Sequence, residues 1–470
     1  MGNNVSSAQQ NPQGKINMAT MPLRAGHFRV LFVASLGQMT GQGLATLVGI
    51  IIPLIQIVIH PDLSAGMQGL LGCISLIGLT VGAVVFGRLS DRYGYLLFFR
   101  LCPVLIIIAS IVAFLSDSIA VLLVCLFIMG FSVGGEYSLD SDYISEIMPV
   151  RWGLFMVGVA KASAAVGSII VAAICFWAIN RWQSAHPWHD LLFIMTGISG
   201  LMLLLRIRFA QSPGWLLAKG ERAEAEKSVQ FFLGKDVVLP PAPPVTAKPA
   251  PAPQKSGSFI AQNLKKVIFS GVPWACEGLG VYGIGIFLPI LIMALGINRL
   301  PASASQIDHV INSVEVTIWL SVIMLVGFVA GLLMMKKVYH VKMQTWGFFL
   351  SAVGLAMLLI AYRLNLPSWI AISAFMFFEL FLNTGPHLIT FILPTQIYPV
   401  GTRGTGTGIA AAVGKIGAVA GAFFIPVLLK WGGSTLVLIV SIIVMVIGGV
   451  VTAWLGKEVL PPATRDNKRA

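Results

Sequence analysis

Charge is what this sequence has least of. Only 10% of its 470 residues are Asp, Glu, Lys or Arg, against about a quarter in soluble domains, and that deficit points away from a soluble globular protein. Cysteine is sparse too. Cys73, Cys102, Cys125, Cys175 and Cys276 all fall in apolar runs without metal spacing, so they read as reduced packing residues. No GxxxxGK[ST] loop is present, which argues against ATP-driven transport by this chain alone, and no HExxH pair marks a zinc enzyme. The "HPWH" stretch at 186–189 falls in a loop. No cofactor and no metal is expected, and no interfacial cluster of nucleophile, acids and histidines suggests an enzyme. The first 27 residues lack the apolar core of a cleavable signal. A net charge of +13 is spread through short loops rather than gathered in a patch, so nucleic acid is not an expected partner.

What the sequence has instead is apolar length. Residues are 57% hydrophobic, and runs of eighteen or more, enough to cross ~30 Å of hydrocarbon, recur along most of the chain. Forty-nine glycines suit membrane helices packed backbone to backbone. The pattern predicts an all-α membrane protein of twelve transmembrane helices. The first six cover 28–58, 66–90, 93–116, 118–147, 152–179 and 188–209. The second six cover 265–296, 311–336, 344–363, 367–394, 403–430 and 434–457. A tail of residues 1–27, a linker over 210–264 and a tail over 458–470 complete the chain. Seven prolines between Pro240 and Pro253 make that part of the linker extended and semi-rigid.

Basic residues set the orientation. With both ends of the chain inside, 25 Lys and Arg are cytoplasmic and four, Arg181, Arg299, Arg363 and Lys430, are outside. Lys161 and Lys415 stay within the membrane. The two halves also echo each other: "EIMPVRWG" after the fourth span recurs as "QIYPVGTRG" after the tenth, 250 residues on. Such correspondence is the trace of a parallel repeat in a secondary transporter.

An intramembrane charge costs on the order of 3 kcal/mol, so each needs a partner, an aqueous cavity or a proton. The stretch "VGGEYSLDSDYISEIMPVR" carries four acids. At 100° per residue, Glu136 and Asp140 share one helix face, and Asp142 and Glu146 share another. Glu136 comes out roughly 16 Å and Asp140 roughly 10 Å from the cytoplasmic end, with Lys161 roughly 14 Å deep on the next helix. The three are expected to pair, either as a static lock between the fourth and fifth helices or as a proton site. Lys415 and Glu277 lie roughly 18 and 16 Å deep. Glu379 and His387 share the tenth span. Trp274 and Tyr282 fall on one face of the seventh, where they line a cavity or simply pack.

Several motifs resemble the major facilitator superfamily over nearly the whole chain. "GRLSDRYGY" (87–95) is similar to its loop signature G-x-x-x-D-R-x-G-R-R/K, with Tyr95 and Leu96 in place of the basic pair. "QSPGWLLAKGERAEAEKSVQFF" (211–232) resembles the sugar- and metabolite-porter signature E-S-P-R-W-L-x-x-x-G-R, departing at Gln211 and Gly214. "FLNTGPHLITFILPTQIYPVGTRGTGTGIAAAVGKIGAVAG" from Phe381 is similar to the phosphate:proton and metabolite:proton symporter branch. The resemblance implies two pseudo-symmetric six-helix bundles rocking about a central cavity.

It also implies roles. Tyr137, Lys161, Trp274, Tyr282, His387 and Lys415 become substrate-binding candidates, and Glu136, Asp140 and Glu277 proton-coupling candidates. Asp91, Arg92, Glu146, Arg151 and Arg403 become an inner gate in which Glu146 pairs with Arg92 or Arg151. Proton-coupled members of that branch carry an Asp in the first helix and an Arg in the fourth. Here "GQMTGQG" and Leu126 stand in those places, so the pair is absent and Glu136 or Asp140 is expected to replace it. The reading is a secondary transporter of a small polar or anionic metabolite, by proton-coupled uptake. Its expected place is a bacterial inner membrane, and its working unit a monomer with lipid, solute and protons as partners. Proton-antiport export and a non-transporting solute sensor of the same fold are the alternatives.

Overall fold

The computed structural model describes residues 16–58, 63–239, 256–297, 300–301, 303–398 and 403–459. In chain order the first half contains β1 (Ile16–Asn17), α1 (Ala25–Val58), α2 (Ala65–Tyr93), α3 (Tyr95–Phe114), α4 (Ile119–Ile147), α5 (Gly153–Trp182) and α6 (Phe193–Arg206), the last entered through a 3₁₀ turn, His186–Leu192. Then come α7 (Pro213–Ala218), α8 (Arg222–Leu233), β2 (Val237–Val238) and α9 (Ser256–Gln262). The second half contains α10 (Leu264–Gly278), a π-helical turn Leu279–Ile284, α11 (Leu288–Ala294), α12 (Gln306–Met334), α13 (His340–Arg363), α14 (Ser368–Thr384), α15 (Pro386–Ile397) and α16 (Arg403–Val459). Among the described residues, eleven helical runs are long and apolar enough to span a membrane. At 1.5 Å per residue, the 57-residue α16 would be ~85 Å long. Its backbone leaves the helix at Gly432 and Gly433, where φ is 61° at the second glycine, so the run is compatible with two crossings and the chain with twelve.

Each half packs on itself first. α2 lies on α4, α1 on α4 and α5, and α3 on α4 and α6; α10 lies on α16, and α13 on α14 and α16. The α2–α4 seam shows why glycine is abundant. A Cβ at Gly78, Gly82, Gly130 or Gly134 would stand 1.9–2.2 Å from a carbonyl oxygen of the facing helix, so only glycine permits that approach. The halves meet along α5–α12 and α2–α16. α4 and α15 end at Ile147 and Ile397, the positions where the repeated motif begins.

Two spans expected to be continuous are broken. The seventh relaxes into the π turn after Gly278 and restarts at Leu288, with Pro289 in the first turn of α11. The tenth stops at Thr384 and restarts at Pro386, which has no N–H to continue the ladder. Gly385 at that break rests on the Met343 carbonyl of α13, 2.5 Å from where its Cβ would be. Broken helices are where transporters place their binding groups.

The expected linker is only partly a linker. Residues 213–239 fold onto the first half: β2 pairs in parallel with β1, Ile16 opposite Val237, and Arg24 at the start of α1 holds Asp236 through two contacts of 2.6 and 2.8 Å. That hydrogen bond keeps the Asp236 carboxyl below its ordinary range, so the clasp is intact at neutral pH and opens only in strong acid. The proline-rich stretch lies outside the described residues. The end of the molecule bearing α7 and α8 is termed the linker face, and the opposite end the far face.

On the far face the halves touch backbone to backbone. A Cβ at Gly49 of α1 would lie 1.9 Å from the carbonyl oxygen of Ile286, in the segment between the π turn and α11. Gly49→Val should therefore prevent this closure. We expect solute flux in proteoliposomes to fall at least tenfold while the variant still inserts and elutes as a monodisperse protein; wild-type flux would show that the contact is dispensable.

Candidate functional site

The deep charges separate into two groups that the linear sequence does not distinguish. The first lies inside the first half. Arg206, the last residue of α6, is wholly buried. Its Nη1 is 2.6 Å from Glu136 Oε2 and donates to Oε1 at 2.7 Å, and its Nη2 donates to Asp140 Oδ1 at 3.4 Å. It also donates to the Phe99 carbonyl at 2.9 Å, and its guanidinium carbon stacks 3.5 Å over the Phe99 ring. Gly37 of α1 closes the group, because Asp140 Oδ2 occupies the space of its missing side chain. One guanidinium thus ties α1, α3, α4 and α6 together.

This corrects the expected pairing. Glu136 and Asp140 face α6 and hold Arg206 instead of Lys161. The physical reason is the helix phase: the face of α4 that carries both acids turns away from α5, while Tyr137, one residue on, turns toward it. Arg206 was counted among the cytoplasmic basic residues although it falls inside the expected sixth span, 188–209. Its signal was available in "LMLLLRIRF", where the arginine is flanked on both sides by aliphatic residues.

The expected gate is also different. Among the described residues, Glu146 accepts from the Ser212 hydroxyl and, at 2.9 Å, from the Gly214 amide at the start of α7. Gly214 leaves room for this approach, since a Cβ would fall 2.5 Å from the carboxylate carbon and the Glu146 side chain would have to shift. Arg92 and Arg151 are exposed and lie over their neighbours Tyr93 and Trp152, so neither pairs with Glu146. Helix amides capture that carboxylate more cheaply than a long, solvated arginine can. Asp91 contributes its main-chain carbonyl to Trp215 Nε1 at 2.9 Å. Arg403 opens α16, and its side chain lies outside the described residues. Across the halves on this face, Lys336 sits 4.8 and 4.3 Å from the rings of Trp152 and Phe155.

The second group lies between the halves. Lys161 of α5 donates to the Tyr137 hydroxyl of α4 at 2.8 Å. Lys415 of α16 lies 4.8 Å from the Tyr137 ring centre and 4.9 Å from that of Tyr282, in the π turn. Glu277 of α10 is within electrostatic reach of both lysines. Its Oε1 is 3.6 Å from Nε2 of His387, near the start of α15. His387 Nδ1 is 2.7 Å from Asn383 Oδ1, and Asn383 Nδ2 donates to Glu379 Oε2 at 3.0 Å. Trp274 packs on Gly414, and Phe391 stands edge-on to both Tyr137 and Trp274. Lys161, Glu277, Asn383, His387 and Lys415 are all buried, none more than 8% exposed. All six residues expected to bind substrate, together with Glu277, thus converge on one point, with both broken spans contributing. Glu136 and Asp140 do not join them.

Beside this point is a small cavity of about 30 Å³, lined among others by Gln42, Thr46, Ser168, Thr317, Ser321 and Glu379. The Thr46, Ser168 and Ser321 hydroxyls run across it as a ladder, with steps of 2.7 and 2.8 Å. That ladder joins α1, α5 and α12, so it crosses the seam between the halves. The volume admits water.

The family model described as "Sugar (and other) transporter" matches residues 40–460. The chain belongs to that family. It is similar to an inner membrane metabolite transport protein of Escherichia coli K12, YgcS, with 25% identity, covering 94% of this chain and 93% of the relative. It is similar also to the putative inorganic phosphate transporter 1-13 of Oryza sativa subsp. japonica, with 26% identity, covering 84% and 82%. Among solved structures, the D-xylose-proton symporter superposes with a TM-score of 0.72 at 19% identity, covering 94% of this chain and 99% of that one. The partially occluded inward-open xylose transporter XylE from E. coli gives 0.73 at the same identity, covering 93% and 98%. The fold is therefore that of the major facilitator superfamily, and the protein is an integral, multi-pass membrane transporter rather than an enzyme.

The Arg206 cluster yields a stability prediction. Removing the cation leaves two buried carboxylates uncompensated, so Arg206→Met should cost ~3–5 kcal/mol. Asp140→Asn removes the surplus negative charge and keeps the shape, and should cost about 1 kcal/mol or less. Chemical unfolding in detergent would test this; equal losses would show that charge balance is not what the cluster supplies.

Proposed function

We propose that this transporter moves a small anionic metabolite, bound between the two halves by Lys161 and Lys415 and taken up together with a proton. One observation carries the reading. The Lys415 ammonium is buried, has no carboxylate within 4 Å among the described residues, and lies against two aromatic faces. Cation–π contact offsets only part of a buried ammonium's desolvation and uses none of its three N–H donors. An anion arriving between the lysines would use them.

The rest of the site fits such a solute. Tyr137 already accepts from Lys161, which leaves its own O–H to donate to an incoming oxygen. Trp274, Phe391 and Tyr282 enclose the position with ring edges and faces. The hydroxyl-lined cavity beside Glu379 extends the site toward groups that hydrogen-bond, so an anion carrying hydroxyl or carbonyl oxygens is better matched than a purely apolar one. Lys161 and Lys415 both face Glu277, and an anion would give the second ammonium a partner of its own. The relative named as a putative inorganic phosphate transporter supports an anion; the xylose symporter shares the fold.

The linker face is assigned to the cytoplasm, from the excess of basic loop residues there. Alternating access then means that the far-face contact at Gly49 and the linker-face contact at Lys336 break in turn while the seam at the hydroxyl ladder shifts. Glu136, Asp140 and Arg206 move as one rigid block, because all three are sealed within the first half. They hold the fixed scaffold against which the site opens.

Thermal shift and counterflow in proteoliposomes, using inorganic phosphate and small mono- and dicarboxylates against neutral pentoses and hexoses, would decide the class. We expect the anions to stabilise and exchange, and Lys161→Met and Lys415→Met each to weaken binding at least tenfold, ~1.4 kcal/mol. Exchange of neutral sugars with no response to any anion would sink the reading. Binding without exchange would make the chain a sensor.

A further inference from the structure

Glu277, His387 and Asn383 form a chain of contacts whose hydrogen positions can be worked out. Asn383 Nδ2 donates to two oxygens of one residue, the Glu379 main-chain carbonyl at 2.7 Å and its side-chain Oε2 at 3.0 Å. A carbonyl can only accept, so the amide orientation is fixed whatever the protonation of Glu379. Asn383 Oδ1 must then face His387 Nδ1, 2.7 Å away, and as an acceptor it requires that Nδ1 carry the hydrogen. In a neutral ring this leaves Nε2 with a bare lone pair. That nitrogen is buried without a hydrogen-bond partner, and it faces the Glu277 carboxylate oxygen at 3.6 Å. Two lone pairs opposed in a dry site repel, and one proton between them removes the conflict.

We propose that Glu277 and His387 together bind the transported proton, and that Asn383 is a positioning residue that fixes which ring nitrogen takes part. The charged and titratable groups facing this pair are Lys161 from α5, Lys415 from α16, Tyr137 from α4 and Tyr282 from the π turn, with Glu379 of α14 connected to it through Asn383. With the proton absent, Glu277 is an anion that competes with the solute for both lysines. With the proton bound, the Glu277–His387 pair is neutral and both ammonium groups are free. Proton and anion therefore raise each other's affinity, and by linkage the effect is reciprocal. This rests on the anion reading for its purpose, though not for its test.

The test needs no solute. Difference infrared spectroscopy of the purified protein across a pH series should show a protonated-carboxyl band that is lost in Glu277→Gln. In His387→Asn and Asn383→Ser that band should remain but titrate with its midpoint moved by about one pH unit or more, a tenfold change in proton affinity. Asp140→Asn serves as the control and should leave it unmoved. If the Asn383 variant does not fold, the His387 variant decides alone. A titrating band that persists in Glu277→Gln overturns the proposal, as does one lost there but unshifted in the folded His387 and Asn383 variants. Should the anions above all fail to bind, the band still tests the proton site, so the two failures are distinguishable. Where an anion does bind, its affinity should rise as pH falls in the wild type and be independent of pH in Glu277→Gln.

Discussion

An ammonium group in hydrocarbon has to be solvated by something, and the Lys161–Tyr137 contact is how this molecule begins to do it. The 2.8 Å bond satisfies one of three donors and fixes Lys161 at the seam. Everything around it follows from the donors left over. Tyr137 reaches α5 from the side of α4 opposite Gly135, which packs on Cys102 and Phe86, and beside Glu136, which holds Arg206. Lys415 approaches the same ring from α16. The two ammonium groups repel each other, and Glu277 lies within electrostatic reach of both. The intramembrane cost of each charge is about 3 kcal/mol, and no arrangement of these three groups alone cancels it. On the proposed reading, an anionic solute is the fourth charged species that improves this state.

The first half solves the same problem in the opposite way. Arg206 meets Glu136, Asp140, a carbonyl and a ring within one sealed cluster, and nothing from outside can join it. A closed cluster is rigid, and breaking it costs several kcal/mol because each partner is left stranded. An open cluster is responsive, because its unsatisfied donors gain from binding. The contrast separates scaffold from site more clearly than burial does, since both groups are equally out of reach of solvent. α4, which carries Glu136 and Asp140 as well as Tyr137, runs unbroken, whereas the spans that carry Glu277, Tyr282, Asn383 and His387 are interrupted beside those residues.

Much of this was legible in the residue pattern. Apolar runs and loop charges gave the spans, and the repeated motif gave the two halves. The site residues were found because charge is so rare here that each deep Lys, Glu or His had to be explained. The partners were not legible, and the reason is geometric. Depth along a helix can be counted from one end, but azimuth relative to a neighbour depends on how the helices rotate against each other. Glu136 and Lys161 are at matched depth and on consecutive helices, yet face different neighbours. The π turn adds a further phase change beyond Gly278, and the break at Gly385 another. Glu146 was misread for a different reason: its partners are one amide and one hydroxyl at the start of a short helix that follows the sixth span, and main-chain donors leave no mark in a charge pattern.

The last step concerns Asn383. It lies immediately before the break, in "FLNTGPH", where a helix that is about to end still offers the Glu379 carbonyl four residues back. Its side chain takes that carbonyl with one N–H, which gives the amide a direction that no side-chain partner could guarantee. Because a backbone acceptor cannot change protonation state, the orientation survives every change of charge in the site. His387 inherits its tautomer from that fixed point, and Glu277 meets a lone pair rather than an N–H. On the proposed reading, a site that binds and releases one proton needs a component that does not switch, and the helix backbone at Glu379 supplies it through Asn383.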